Sequence, residues 1–284
     1  MKKLLILTLC ILLLTGCAAT YDGPTTTRSV LSSEEYYFSD ADSRYESRTE
    51  YTYDIYGNQV QSLSYSADAP YLKTVLGYDD AGNVIRQRQY DLSGWFPKKL
   101  VDVCYDYDAL GRRISERHRY DLRWDDATIT YDDTARTRTT CNNGHTTVEY
   151  LNENGWVVSS ESDFGHGVRI TAEFDRREDG QIETMRTYLD GILESLTELT
   201  YDDQGRSLTY AVTQDGKTDI LYRWEYGENY EKLIFSDGSY TVTDFNPDGT
   251  PHSRLTVNAD DTVLEHTIYR YTEIRVPAGK EETP

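Results

Sequence analysis

The stretch Tyr-Asp-Ala-Leu-Gly-Arg-Arg-Ile-Ser, from Tyr107 to Ser115, sets a carboxylate, a glycine and two arginines within seven residues, a composition that could edge a chemical site. Asp244-Phe-Asn246-Pro-Asp248-Gly249 fits the first half of an EF-hand calcium loop, although Leu255 stands where the bidentate glutamate belongs. Trp95, Trp124, Trp156 and Trp224 could offer flat faces to sugars or peptides. The five histidines, His118, His145, His166, His252 and His266, share no metal-ligand spacing. No Gly-x-Ser-x-Gly, phosphate-binding loop or zinc pattern occurs. Carboxylates are so abundant that no pair stands out as an acid/base couple. The sequence therefore predicts no catalytic residue, no metal and no cofactor.

Whether Tyr107–Ser115 is a site depends on whether it occurs once. It does not. Tyr53-Asp54-Ile-Tyr-Gly57, Tyr78-Asp79-Asp-Ala-Gly82 and Tyr201-Asp202-Asp-Gln-Gly205 repeat Tyr107-Asp108-Ala-Leu-Gly111. Weaker copies begin at Leu151, Phe174 and Phe245, with Gly180 two residues late in the second, and degenerate ones at Tyr131 and Tyr226. Anchors at 107, 131 and 151 recur at 201, 226 and 245, displaced by 94, 95 and 94 residues, as an old duplication of a four-unit block would leave them.

The physical content of the motif is a turn. Asp54, Asp79, Asp108 and Asp202 each precede a glycine by three. In a type I turn the first-position carboxylate accepts a backbone N–H two residues on. The glycine takes the positive φ of the closing bulge. Gly57, Gly82, Gly111 and Gly205 are thus punctuation, and the Asp244–Gly249 segment reads the same way. The arginines after Gly111 are expected to be solvated. Before the third turn, Val101, Val103, Tyr105 and Tyr107 alternate with polar residues at the period of a half-buried strand. A second, looser turn signal follows each unit, as at Asp190-Gly191, Asp215-Gly216 and Asn258–Asp261.

Eight or nine such units predict an all-β chain of about 16–18 antiparallel strands. A hairpin meander this wide curls into a sheet, spiral or barrel-like shell to protect its edges. With 25 tyrosines against six phenylalanines, a tyrosine-lined, partly wet concave face is expected rather than a dry core.

Tyr-Asp-x-x-Gly-Arg at this period resembles the YD repeats of rearrangement-hotspot (RHS) proteins and their toxin-complex relatives, from about Tyr53 to Phe245. The resemblance implies a continuous β-sheet wound into a shell, and surface interaction. That family favours leucine two residues after the glycine. Here the steady apolar position is three after, at Val60, Ile85, Ile114, Val158 and Leu208. The proline-rich core signature that precedes a C-terminal toxin is missing, so toxicity is not implied.

The ends bound the setting. Residues 1–16 read as a secretory signal with a short apolar run, and Leu14-Thr15-Gly16-Cys17 resembles a lipobox with Cys17 as the lipidated residue. Residues 17–33, rich in Thr, Ser, Gly and Pro, read as anchor and flexible tether, 34–276 as the β domain, and 277–284 as a disordered tail. After the signal, 27 basic residues face 49 acidic ones, which repels nucleic acid and anionic lipid. Cys104 and Cys141 fall three strands apart in a meander, about 14 Å. A disulfide needs Cα atoms within about 7 Å, so free thiols are expected. Together these features predict an exported surface lipoprotein, held to the membrane by its lipid and binding a glycan or protein without catalysis. A structural or assembly role in the envelope is the alternative, and an enzyme ranks third.

Overall fold

The computed structural model describes residues 25–38, 46–120, 123–165 and 167–278. Cys17 and the predicted signal lie outside them. The first strands are β1 (Thr25–Phe38), β2 (Ser47–Tyr53), β3 (Gln59–Ser66), β4 (Ala69–Tyr78) and β5 (Val84–Asp91). Next come β6 (Lys98–Tyr107), β7 (Arg113–Tyr120), β8 (Arg123–Asp132), β9 (Thr137–Asn142) and β10 (His145–Leu151). The second half holds β11 (Val157–Asp163), β12 (Arg169–Arg176), β13 (Ile182–Leu189), β14 (Ile192–Tyr201) and β15 (Ser207–Gln214). It ends with β16 (Lys217–Tyr226), β17 (Tyr230–Phe235), β18 (Tyr240–Phe245), β19 (Pro251–Val257) and β20 (Val263–Pro277). Each strand pairs antiparallel with its chain neighbours, and β1 pairs with β20, so the meander closes into a 20-stranded barrel.

The barrel thus exceeds the expected 16–18 strands by the two that form its seam. Nine hairpins account for β2 to β19; β1 and β20 close the ring. The tether accordingly ends earlier than residue 33, because Thr25–Ser33 is the first part of β1. Its composition looked like a linker, but threonine and valine are β-branched and suit a ladder once β20 offers an open edge. The chain's other end also runs on, since Val276 and Pro277 are the last residues of β20.

Strand direction divides the ring into two ends. The nine turns that include the Tyr-Asp motifs share one end, here the tyrosine end, with the start of β1 and the finish of β20. The alternate turns share the far end. Several of these are tighter than expected rather than looser. Asn143-Gly144, Asp190-Gly191 and Asp215-Gly216 are two-residue turns with both φ angles positive, the twist-matched hairpin type. Asn258–Asp261, at the same end, instead copies the Tyr-Asp turn: Asn258 N–H bonds Thr262 O, Asp261 N–H bonds Asn258 O, and Asp261 takes the positive φ.

The two faces differ as the period-two pattern requires. On β8, Asp125, Ala127, Ile129 and Tyr131 are half-buried while Asp126, Thr128, Thr130 and Asp132 are exposed. Following cross-strand partners around the ring, the half-buried face carries Tyr51, Tyr210, Tyr222 and Tyr269 among many serines and threonines. The other face carries cross-strand ion pairs, Glu35 with Arg270, Asp175 with Arg186 and Glu161 with Arg169 among them. Asp102 is the most enclosed, 1% exposed beneath Arg86, Arg88 and Lys99. A membrane-spanning barrel needs an apolar outer belt about 25 Å tall. The described outer face carries these ion pairs where such a belt would lie.

Little is packed inside. Among the described residues the buried apolar side chains are Val30, Val103, Val257 and Val276. No strand brings a Cα within 8 Å of any strand but its ring neighbours. Twenty strands at about 4.8 Å spacing make a ring at least about 31 Å across if circular, widening with tilt. The barrel is a sparsely filled shell, stabilised strand to strand.

Candidate functional site

The residues singled out by the Tyr-Asp motif form turns, in the geometry their spacing predicts. In the third copy Gly111 N–H bonds Asp108 O at 3.0 Å, and Asp108 N–H bonds Arg112 O at 2.9 Å. The Asp108 carboxylate accepts the Leu110 and Arg112 N–H groups, each at 2.9 Å. Asp54, Asp79 and Asp202 do the same, and Gly57, Gly82, Gly111 and Gly205 all have positive φ. Bonds from the Asn83 amide to Asp79, and from the Arg112 N–H to Asp108, hold these carboxyls below the usual range. Asn246–Thr250 closes in the same way, so the resemblance to a calcium loop is used as a turn. Among the described residues, no three His, Cys, Asp or Glu side chains group as metal ligands.

The arginines are not simply solvated. Arg112 reaches Asp108 at 2.8 Å and Asp133 at 2.6 Å, and its guanidinium lies 4.2 Å from the centre of the Tyr131 ring. Arg206 repeats this with Asp202 and Tyr226. The residue after the glycine thus braces its own turn and covers the next tyrosine.

The anchor tyrosines have a role beyond strand preference. Tyr78 OH donates to Gln59 O at 2.6 Å, Tyr107 OH to Val84 O at 2.9 Å, and Tyr201 OH to Ile182 O at 2.6 Å. Tyr53, Tyr131 and Tyr226 do likewise. Each hydroxyl meets a carbonyl of the preceding strand just past the last ladder pair, Gln61 with Val75 in the case of Tyr78. Where the anchor lacks a hydroxyl, the backbone does the work: Leu151 N–H bonds Arg136 O and Phe245 N–H bonds Asn229 O. The anchor expected at Phe174-Asp175 is displaced. Gly180 closes on Arg177, and Arg176 takes the tyrosine's place, donating from Nε to Val157 O at 2.8 Å.

The four tryptophans do not converge. Trp95 sits at the far end and Trp156 at the tyrosine end, its indole lying against Gly180. Trp224 is within β16, with its ring 6.1 Å from Tyr222, rather than beside a turn. Trp124 is near the start of β8 at the far end, and its side chain lies outside the described set. Cys104 on β6 and Cys141 on β9 are three strands apart, and both are free.

The residues that do converge line the concave face of β6 to β10, around a cavity of about 760 Å³. Its floor is low because the inner positions there are small: Ala127, Thr140 and Thr147 lie in neighbouring strands, with Ser162 beyond. From β12 to β17 the same face carries Phe174, Met185, Tyr210, Tyr222 and Trp224 instead. Register places Tyr131, Arg138 and Glu149 side by side across three strands. Arg138 grips Glu149 with two bonds, which raise its already high pKa. On β7, Glu116 holds His118 Nε2 and receives Arg113 at 3.0 Å. Asp125, opposite His118, has one carboxylate oxygen buried without a hydrogen-bond partner. Thr140, Asn142 and the Tyr107 ring complete the lining.

Planar carboxylate, guanidinium, imidazole and amide groups around aromatic and small residues suit a polyhydroxylated ligand, whose adjacent hydroxyls pair with such groups two at a time. Of these residues sequence reading singled out Tyr107, Gly111, Arg113 and Tyr131 as parts of turn motifs, and His118, which it set aside for want of a partner in sequence. Its partners arrive through cross-strand register.

No protein-family model and no curated protein matches the sequence. Among solved structures the chain is similar to a porin-like protein from Bacteroides uniformis, at 13% identity and a TM-score of 0.43, covering 88% of this chain and 99% of that one. It is also similar to chains of TcdB2-TccC3-Cdc42 (11% identity, TM-score 0.36) and TcdB2-TccC3-TEV (12% identity, TM-score 0.35). There 80% and 89% of this chain are covered, but 17% and 18% of those chains.

Proposed function

We propose that this chain is an exported barrel, tethered through a lipid on Cys17, that binds a glycan in its inner-wall groove without catalysis. The observation that carries this is the groove of β6 to β10, where paired polar groups surround a small-residue floor next to the Tyr107 and Tyr131 rings. Arg138 is matched to Glu149 there, and Glu116 to His118, which suits recognition of neutral hydroxyls better than activation of a nucleophile. The acidic surface and the charged outer wall support a protein in water that meets the membrane only through its anchor, and no nucleic acid.

A glycan array probed with the mature domain tests this. Glu149→Gln and Asn142→Ala should each weaken a hit about tenfold, roughly the worth of one polar contact. An array with no hit, or hits that both variants retain, would refute the groove as the seat. Asn142 is an exposed, neutral residue at the end of β9, so its variant guards against a folding defect in the first. A structural or assembly role is the second reading, favoured by the uneven distribution of apolar side chains between the two ends of the ring.

A further inference from the structure

That unevenness is large. Twelve of the eighteen exposed large apolar side chains among the described residues lie in the far half of the barrel. Trp95 and Phe96 are 80% and 82% exposed at the tip between β5 and β6. Phe164, Leu189, Ile192 and Leu193 form a second group that wraps the rim, Ile192 (71% exposed) pairing with Leu189 on one face and Leu193 (53% exposed) with Tyr188 on the other. The turns after β11 and β13 are fastened together: Asp190 N–H bonds Arg169 O at 2.9 Å and Arg169 N–H bonds the Asp190 carboxylate at 3.0 Å. Hairpin tips are normally polar, and a contiguous exposed apolar patch marks a contact surface.

We propose that the patch formed by Phe164 and the tip of the β13–β14 hairpin docks a protein whose surface is apolar at its centre and basic at its margin. The inference rests on the tethered reading above, and geometry supplies the direction. Seven residues separate Cys17 from Thr25, a reach of about 28 Å at full extension. From Thr25 the fourteen residues of β1 run about 46 Å along the wall to the far end. β11 lies ten strands from β1 in a ring of twenty, diametrically across it. The patch is thus at the end and on the side remote from the anchor, and the anchoring bilayer cannot cover it. Two copies tethered in one membrane point the same way, so their far ends cannot meet face to face. The margin carries Asp163, Asp190 and Glu194, all exposed, and Arg169 among them is paired with Glu161, so the margin is net acidic, which sets the complementary charge.

The test places a photo-cross-linking residue at Ile192, or at Leu110 as a tyrosine-end control that is 72% exposed, in the full lipid-anchored chain in its native envelope. Capture of one protein from Ile192 and not from Leu110 is expected. That protein, purified, should bind the mature domain at least tenfold more weakly after Ile192→Asp, and also after the milder Leu193→Ser, with melting unchanged in at least the second. Equal capture at both positions, capture of lipid or of a second copy, no capture, or affinity unaffected by Leu193→Ser would each overturn the proposal. The mass of the N-terminal peptide reads Cys17 lipidation, and the array reads the groove, so a failure of the tethered glycan-binding reading is distinguishable from a failure at the far end.

Discussion

Replacing Tyr78 with phenylalanine removes one oxygen and leaves the ring in place. That oxygen donates to Gln59 O at 2.6 Å, across the junction between two hairpins where the backbone ladder has stopped. The net worth of such a bond is about 0.5–1.5 kcal/mol, and the orphaned carbonyl sits at a part-buried junction, so about 1 kcal/mol is expected. In urea, with m near ~3 kcal/mol/M for a chain of this size, the midpoint should fall by about 0.3 M. Six tyrosines make this bond, Tyr53, Tyr78, Tyr107, Tyr131, Tyr201 and Tyr226. Successive anchors are two strands, or about 10 Å, apart, far enough for near-additive effects. All six changes together would then remove about 3–9 kcal/mol, against a typical domain stability of about 5–15 kcal/mol. The sixfold variant should be largely unfolded or split between hairpins, whereas Tyr150→Phe, on the outer face, should behave as wild type. If Tyr78→Phe left the midpoint unchanged while Tyr78→Leu lowered it, the ring alone would join the hairpins, and the hydroxyl argument would be wrong.

Two further outcomes separate the interactions described above. Asp102→Asn leaves Arg86, Arg88 and Lys99 facing one another over a neutral amide, at a cost of about 2–3 kcal/mol once the partial exposure of the three cations is allowed for. The bonds from Arg86 hold the Asp102 carboxyl well below its ordinary value of 3.8, so its contribution is present above that pH and is lost as pH falls below it. The acid limb of a stability–pH curve should be shallower in the variant; an identical limb would mean the carboxylate is not coupled to folding. Gly57→Ala should cost more than Gly111→Ala. Both take a positive φ, worth about 1–2 kcal/mol, but a Cβ at Gly57 would come within 3.3 Å of Val276, while none lies within 4 Å at Gly111. Thermal melts of the two variants decide this, and equal losses would refute the steric term.

The sequence made the unit legible and the ring only partly so. Asp108 and Gly111 announce a turn because its bonds lie within five residues. Their spacing alone fixes which amide meets which oxygen. The junctions were hidden because Tyr78 and Gln59 meet across a step that no turn motif specifies. Arg176 was missed for a related reason: a guanidinium can reach the same carbonyl as a phenol, but nothing in an aromatic-anchor pattern points to arginine. Closure was out of reach because β1 meets β20 across the whole chain, and a run of threonine and serine has the same composition in a linker and in a seam strand. The groove needed register above all. Glu149 and Arg138 face each other only once the turn at Asn143-Gly144 has fixed the pairing.

Every hairpin in the barrel can form from neighbours in the chain, but the seam cannot. Ser32 Oγ donates to Arg270 O, and Arg270 pairs with Glu35, across separations of 238 and 235 residues. Such remote contacts form late, after the entropy of the whole intervening chain has been given up. Until β20 arrives, β1 is an unpaired edge on a finished arc of sheet, and an edge of that kind accepts the last strand of any copy of the same protein. Whether the arc closes on itself or on a neighbour is then a contest between effective and actual concentration. A high local concentration of copies shifts that contest toward open-ended, head-to-tail chains of barrels. The long pairing of Thr25–Phe38 with Glu265–Pro277 forms in either case, so only the effective concentration of β20 beside its own arc weights the contest toward closure.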